Sequence, residues 1–356
     1  MANTRVAGLR EAMKQQQIEA VWITDDVNRR YLTGFTGSSG YVLITVDHAY
    51  LLTDFRYMTQ ASEQAKDFMI VEHGPSVNEN LKQLLQEAGF TRLGFEEDHT
   101  VFSTYRKYES DLKPCELVPV KGMVEGLRMF KDSGELELMK KAADLADKTF
   151  LHMLELLKPG VSEWDMALEL ETFMRKHGAS GTAFETIMAS GERSAMPHGV
   201  ASSRIMRNNE FVTMDFGALL NGYCSDITRT VFLGEPTAKH REIYDIVLEA
   251  QMHTLEHLKP GMTGREGDAL ARDIIARYGY GDLFGHSTGH GLGMYVHEEP
   301  RLSKLSDTVL QPGMVVTVEP GIYIPGFGGV RIEDDVVITD SGVRRLTEST
   351  KDFITL

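Results

Sequence analysis

The chain has 356 residues, 42% of them hydrophobic and 25% charged; that is room for two domains of roughly 100–200 residues each, and the balance excludes a disordered chain. The net charge of −15 speaks against nucleic acid as a partner, because a phosphate backbone asks for a basic face. Two cysteines, Cys115 and Cys224, cannot make a disulfide framework and suit a reducing cytoplasm. The charged N-terminal stretch has no apolar signal core, and no run nears the roughly 18 apolar residues that would put the chain in a membrane.

Residues 4–17 read as a helix and EAVWIT (19–24) as a strand. YVLIT (41–45) and AYLLT (49–53) form a strand pair turning through Val46-Asp47-His48. A helix at 55–65, a strand at 68–72, a helix at 76–88, a strand at 92–96, a short helix near 101–111 and a strand at 116–120 complete an α/β unit. Its Gly-rich stretch GFTGSSG (34–40) lacks the GK[ST] ending of a phosphate loop and does not lead from a strand into a helix. Residues 122–157 carry one long helical pattern. The domain boundary is placed at its start, giving domains 1–122 and 123–356.

The second part repeats itself. LKPGVSEWDMALELETFMRKHGA, from 157, resembles LKPGMTGREGDALARDIIARYGY, from 258; FVTMDFG, from 211, lines up with VVTVEPG, from 315. In each copy Pro-Gly ends one helix, and Ser162 or Thr263 stands where an N-cap should start the next. Two pseudo-symmetric halves packed as one α+β domain fit this better than a solenoid, whose repeat would be shorter.

Each half ends in two strands bearing acids: Asp215 and Asp226 around the turn Leu220-Asn221-Gly222, then Glu319 and Glu333 around IPGFGG (324–329). Antiparallel pairing is expected to set the two acids of each hairpin side by side on one face. A carboxylate in an apolar strand such as FVTMDF is costly to bury uncompensated. Four converging carboxylates repel and hold protons unless cations bridge them. Between the hairpins, HSTGHGLGMYVHEEP (286–300) clusters His286, His290 and His297 among glycines. Four carboxylates with an imidazole suit Mn²⁺, Co²⁺ or Fe²⁺ better than Zn²⁺. One acid in a hairpin is more often a capping or ion-paired group; the repetition in both halves reverses that reading.

At these residues the chain resembles the pita-bread metallopeptidases, the group of methionine aminopeptidase, aminopeptidase P and prolidase. MDFGA (214–218), SDITRT (225–230), GHGLG (289–293), VEPGIY (318–323) and RIEDD (331–335) occur in that family's order. Residues 1–122, with YLTGFTGSSG (31–40) and LLTDFRY (51–57), resemble the creatinase-type N-terminal domain. The resemblance implies a dinuclear centre held by Asp215, Asp226, His290, Glu319 and Glu333, with Mn²⁺ favoured. It also implies catalytic roles for Glu319, His198 of MPHG, His297 of VHEEP, His286 and Arg331, with Thr228 and Tyr323 beside or behind the ligands. For Arg331 the alternative is an ion pair with Asp334 or Asp335. His152, His240, His253 and His257 have no support from these family motifs and read as helix-surface or packing residues.

The N-terminal domain is generally absent from methionine aminopeptidases, so the resemblance implies cleavage of the Xaa-Pro bond, a tertiary amide. Compact length favours a prolidase-like dipeptidase over an aminopeptidase P acting on longer peptides. A metal-free peptide-binding module of the same fold is a third reading, which loss of a ligand would have signalled; none is lost. Relatives of this kind are commonly homodimers.

Overall fold

A computed structural model describes residues 2–356, and the chain separates into two units, Met1–Arg128 and Met129–Leu356. The first unit is built on a six-stranded sheet. Its order is Met69–Glu72, Ala49–Thr53, Tyr41–Thr45, Ala20–Ile23, Arg92–Glu96, Glu116–Val120. The central strand reads AVWI and is buried throughout, as expected for a strand covered on both faces. It pairs antiparallel with Tyr41–Thr45 and parallel with Arg92–Glu96. Trp22 stacks on Tyr41 at 5.3 Å and donates its indole N–H to the Tyr108 hydroxyl at 3.1 Å.

Most expected elements of this unit are present, with two differences. The segment expected to be helical at 55–65 is a 3₁₀ turn, Phe55–Tyr57, followed by the α-helix Met58–Gln64. A further helix, Asp26–Thr33, has no counterpart among the expectations. The Asp25 side chain caps it by accepting from the Asn28 N–H at 2.8 Å, and Gly34, at φ 75°, ends it. Its buried Arg29 donates to the carbonyls of Gly37 at 2.7 Å and Gly40 at 2.8 Å. The glycine-rich loop therefore wraps a guanidinium. Gly37 is required there, since a Cβ would lie 2.2 Å from the Phe35 ring.

The long helical run expected over 122–157 is interrupted. Helices Met123–Arg128 and Ser133–Leu154 flank a break at Asp132. Asp132 accepts from the Glu135 N–H, and Glu135 accepts from that of Asp132, each at 2.9 Å. This capping box starts a new helix within a pattern that stays amphipathic on both sides.

The second unit shows the duplication in three dimensions. Helices Ser133–Leu154 and Glu163–Lys176 correspond to Ala238–His257 and Gly264–Arg277. Ser162 caps the first short helix by accepting from the Asp165 N–H at 3.0 Å, and Thr263 caps its counterpart through the Glu266 N–H at 3.2 Å. Strands Ile227–Leu233, Glu210–Phe216 and Ile187–Ser190 lie in that order in one sheet. Strands Asp334–Ile338, Val315–Val318 and Gly289–Gly291 repeat the order in the other, flanked there by Val343–Arg345 and Glu298–Leu302. Under the first sheet Met188, Val212, Met214 and Phe216 pack with Phe150, Leu170 and Met174. Under the second, Val316, Val318, Val336 and Ile338 pack with Leu258 and Leu310.

A buried guanidinium joins the halves. Arg229 donates to Asp334 Oδ1 at 2.7 Å, to the carbonyls of Ser349 at 2.8 Å and Thr350 at 2.9 Å, and to the Glu333 carbonyl. Asp334 also accepts from Lys351 at 2.6 Å and Gln251 at 2.9 Å. Its carboxyl is therefore held far below the usual range: burial alone would raise it, but the facing Arg229 and Lys351 outweigh burial. Replacing Arg229 by methionine leaves Asp334 short of its main partner, and should cost about 3 kcal/mol. The check is urea unfolding of the variant; a midpoint equal to wild type would contradict the assignment.

Candidate metal centre and cleft

The acids stand at or near strand ends, where the backbone fixes them but the ladder stops. Asp215 pairs across the sheet with Thr228, so Asp226 is displaced diagonally from it. Glu319 and Glu333 each lie one step beyond the Val318–Asp334 pair. The side-by-side arrangement expected from the hairpins thus suits the second half, whereas the first is offset by two residues. The backbone N–H of Asp226 donates to Asp335 Oδ2 at 2.9 Å, and that of Glu333 to the Thr228 carbonyl at 3.1 Å. The Thr228 hydroxyl donates to Glu333 Oε2 at 2.6 Å. Thr317 accepts from the His290 N–H at 3.0 Å and donates to Glu319 Oε1 at 3.1 Å.

Asp226, His290 and Glu333 offer ligand atoms all within 4.8 Å of one another. His290 Nε2 lies 3.4 Å from Glu319 Oε1 and 3.6 Å from Asp226 Oδ2. The other ring nitrogen faces the Gly291 carbonyl at 3.1 Å, so Nδ1 carries the proton and the Nε2 lone pair faces the carboxylates. Burial lowers His290 to about 4; it does not supply the missing positive charge itself. Burial pushes Asp226 and Glu333 well above the carboxylate range, and repulsion from neighbouring acids adds to the shift. Glu319 is raised as well, mainly by burial, against the pull of Arg331. Asp215 Oδ1 and Asp226 Oδ1 are buried and have no hydrogen-bond partner. Lone pairs and orphaned carboxylate oxygens aimed at one another fit a divalent cation.

Asp215 lies outside the tight trio, and its Oδ2 is taken by Arg331 at 2.5 Å. Arg331 also donates to Tyr323 at 2.7 Å and to Thr228 at 3.0 Å. Its partner is therefore neither Asp334, which is held by Arg229, nor Asp335, which holds the Asp226 amide. His286 Nδ1 faces the Ser287 carbonyl at 2.8 Å and so bears the proton; Tyr323 donates to its Nε2 at 2.8 Å. Burial pushes the Tyr323 phenol up to about 12. One chain of donors thus runs from Arg331 through Tyr323 to His286.

These groups open into a cleft of about 580 Å³ that His198 and His297 also line. The His297 ring stands 4.4 Å from that of His290. Sequence reasoning missed the apolar wall (Phe184, Ile187, Val200, Val296) and the Arg301 guanidinium. It also missed the anchor of the His198 loop. Glu163, fully buried, accepts from the backbone and hydroxyl of Ser190 and of Ser202 at 2.6–3.0 Å, and from Arg193. Arg193 in turn donates to the Val200 carbonyl at 2.8 Å. As the first residue after an N-cap, Glu163 looks in sequence like an acid favoured by the helix dipole, which hides its role.

The donor set makes metal removal pH-dependent. Acids with raised folded-state pKa values contribute stability that is present at low pH and lost as pH rises through those values. Cations favour the deprotonated ligands, and their stabilisation grows over the same range. The difference in melting temperature between metal-loaded and chelator-stripped protein should therefore widen from pH 6 to pH 8. A constant or shrinking difference in calorimetric scans would contradict the reading.

Comparison with known proteins agrees with this geometry. Residues 137–340 match the family described as metallopeptidase family M24, and residues 5–130 the creatinase/prolidase N-terminal domain. An uncharacterized peptidase, YqhT, of Bacillus subtilis (strain 168) is 52% identical, covering 98% of this chain and 99% of that protein. A Xaa-Pro dipeptidase of Pyrococcus horikoshii is 42% identical, covering 99% of both. The solved structure of a Xaa-Pro dipeptidase from Bacillus anthracis superposes with a TM-score of 0.98 at 49% identity, covering 100% of each chain. Membership implies divalent metal ions. The chain belongs to metallopeptidase family M24 and carries a creatinase/prolidase-type N-terminal domain.

Proposed function

We propose that the chain is a prolidase-like enzyme that cleaves the Xaa-Pro bond of dipeptides, using two divalent ions held by Asp215, Asp226, His290, Glu319 and Glu333. The observation that carries this is the buried set of carboxylates with orphaned oxygens, opening into a cleft rimmed by His198 and His297. Relatives named Xaa-Pro dipeptidase, at 40–42% identity across nearly the whole chain, support the substrate class. Mn²⁺ is the ion we favour, because four carboxylates and one imidazole make an oxygen-rich set. We place the enzyme in the cytoplasm, in keeping with two free cysteines, and infer a homodimer from the resemblance. No helix among the described residues is long and apolar enough to cross a membrane.

When bound, the ions supply Lewis acidity and a water acidic enough to attack near neutral pH. The chain's own groups do the rest. Glu319, its affinity for a proton raised by burial, takes the proton of the attacking water and passes it to the leaving nitrogen. That nitrogen belongs to proline and has no hydrogen of its own. His198 and His297 donate hydrogen bonds to the oxyanion of the tetrahedral intermediate. Arg331 and Tyr323 hold Asp215 and His286 in place through the bonds described above. Phe184, Ile187 and Val200 offer an apolar wall to the pyrrolidine ring, and Arg301 offers a cation to the carboxylate a dipeptide carries beside it.

The readings separate by assay. With Mn²⁺ present, Ala-Pro should be cleaved at least tenfold faster than Ala-Pro-Gly-Gly, and Glu319→Ala should abolish turnover. A preference for the tetrapeptide would make the chain an aminopeptidase P; no metal-dependent cleavage of either would favour the metal-free binding module. A second test concerns Arg301. Losing a charge-assisted bond worth about 1.5–3 kcal/mol, Arg301→Gln should raise KM for Ala-Pro by roughly one to two orders of magnitude. It should leave Ala-Pro amide little changed, and equal effects on both would remove Arg301 from carboxylate binding.

A further inference from the structure

Away from the cleft, the helix Ala238–His257 ends in His253-Thr254-Leu255-Glu256-His257. This H-x-x-E-H spacing sets two imidazoles one helical turn apart on one face, the arrangement by which helices chelate zinc. Here the spacing is realised in contact. The two rings have centroids 4.0 Å apart and are inclined at 31°. His257 Nδ1 lies 2.9 Å from the His253 carbonyl oxygen. A carbonyl only accepts, so Nδ1 bears the proton and Nε2 keeps its lone pair. His257 is exposed and His253 half-buried, so an ion can reach both from solvent.

The surroundings favour a cation as well. His253 borders a groove between this helix and Gly264–Arg277 that Asp273 and Glu266 also line; Glu266 is engaged by the N–H and hydroxyl of Thr263. Glu249, one turn before His253, is paired with Arg277 at 2.7 Å and with the Tyr278 hydroxyl at 2.8 Å. It is occupied, whereas Asp273 is exposed and lines the groove. Among the described residues the tight three-ligand cluster is the one in the cleft, so at the helix end two imidazoles would bind the ion and water would fill the remaining positions.

We propose that His253 and His257 form a second metal site, independent of catalysis and selective for a borderline ion of the Zn²⁺, Ni²⁺ or Cu²⁺ type. Nitrogen ligands prefer these ions over Mn²⁺, whereas the carboxylate-rich cleft does not discriminate in the same way. The pair stands on an exposed helix face, outside the cleft that holds the acids and His198, and the assignment is metal capture without a hydrolytic step. One consequence is practical: metal counted on protein exposed to Zn²⁺ or Ni²⁺ includes an equivalent that has nothing to do with turnover.

The test uses the untagged, Mn²⁺-loaded enzyme and Ni²⁺ as the probe. Titration calorimetry should find one Ni²⁺ equivalent beyond those in the cleft, and the protein should be retained on immobilised Ni²⁺. The double variant His253→Gln/His257→Gln should lose that equivalent and at least tenfold of the retention, while keeping wild-type peptidase activity with Mn²⁺. His177→Gln, which removes another exposed helix-end histidine, should change neither. With Cu²⁺ as probe, the electron paramagnetic resonance spectrum should show nitrogen ligation in the wild type and lose it in the double variant. An extra equivalent that survives the double substitution, or the absence of any extra equivalent in the wild type, overturns the proposal.

Discussion

Asp226 and Glu333 are fully buried, and burial, with repulsion from Asp215 and Glu319 beside them, drives their carboxyl groups toward protonation. Without a cation this is a destabilising arrangement, in which buried acids must hold protons or repel. Around it the chain has placed restraints rather than neutralising partners. Thr228 fixes one oxygen of Glu333, Thr317 one of Glu319, and the Asp335 carboxylate the backbone of Asp226. Arg331 ion-pairs with one of these acids, Asp215. The remaining oxygens stay available. A site that leaves buried lone pairs unsatisfied while locking their directions is preorganised for ions, and the fold of the second unit serves that end.

Duplication explains how such a site is assembled. Each half supplies helices, a three-strand core and two acids at the ends of its central strands, and the halves meet where those ends converge. Arg229 and Asp334, buried and paired, join the second strand of one half to that of the other and to the C-terminal segment. The symmetry is broken in ways that matter chemically. His290 has no counterpart in the first half, and the acids of the first hairpin are offset while those of the second are level. The donor chain from Arg331 through Tyr323 to His286 also serves one side alone. Two ions held here would sit in different environments.

How much of this could be read from residues alone depended on whether the signal was local. Strands such as Arg92–Glu96 and Glu116–Val120 fell where their apolar pattern put them. The capping residues Ser162 and Thr263 did as well. The helix Asp26–Thr33 escaped because its sequence, DVNRRYLT, is polar on paper; its Arg29 is buried only because loop carbonyls from Gly37 and Gly40 surround it. The break at Asp132 lay inside a continuous amphipathic pattern, although the Asp-x-x-Glu of its capping box was there to be seen. In the site, acids in apolar strands announced themselves by their cost. Arg331 did not announce its partner, because Asp215 is 116 residues away while Asp334 and Asp335 are adjacent. Phe184, Arg301 and Glu163 act through tertiary placement, which no spacing rule encodes.

Everything above rests on the buried acids holding divalent ions. The decisive measurement is to grow crystals of the enzyme with Mn²⁺ and locate the ions by anomalous scattering. Two peaks are expected, each bounded by carboxylates of both hairpins, with His290 Nε2 on one of them and the Asp215 and Asp226 oxygens that lack hydrogen-bond partners both engaged. Full-length protein that binds no Mn²⁺ among Asp215, Asp226, His290, Glu319 and Glu333, with those carboxylates satisfied by protons or side chains instead, would contradict it.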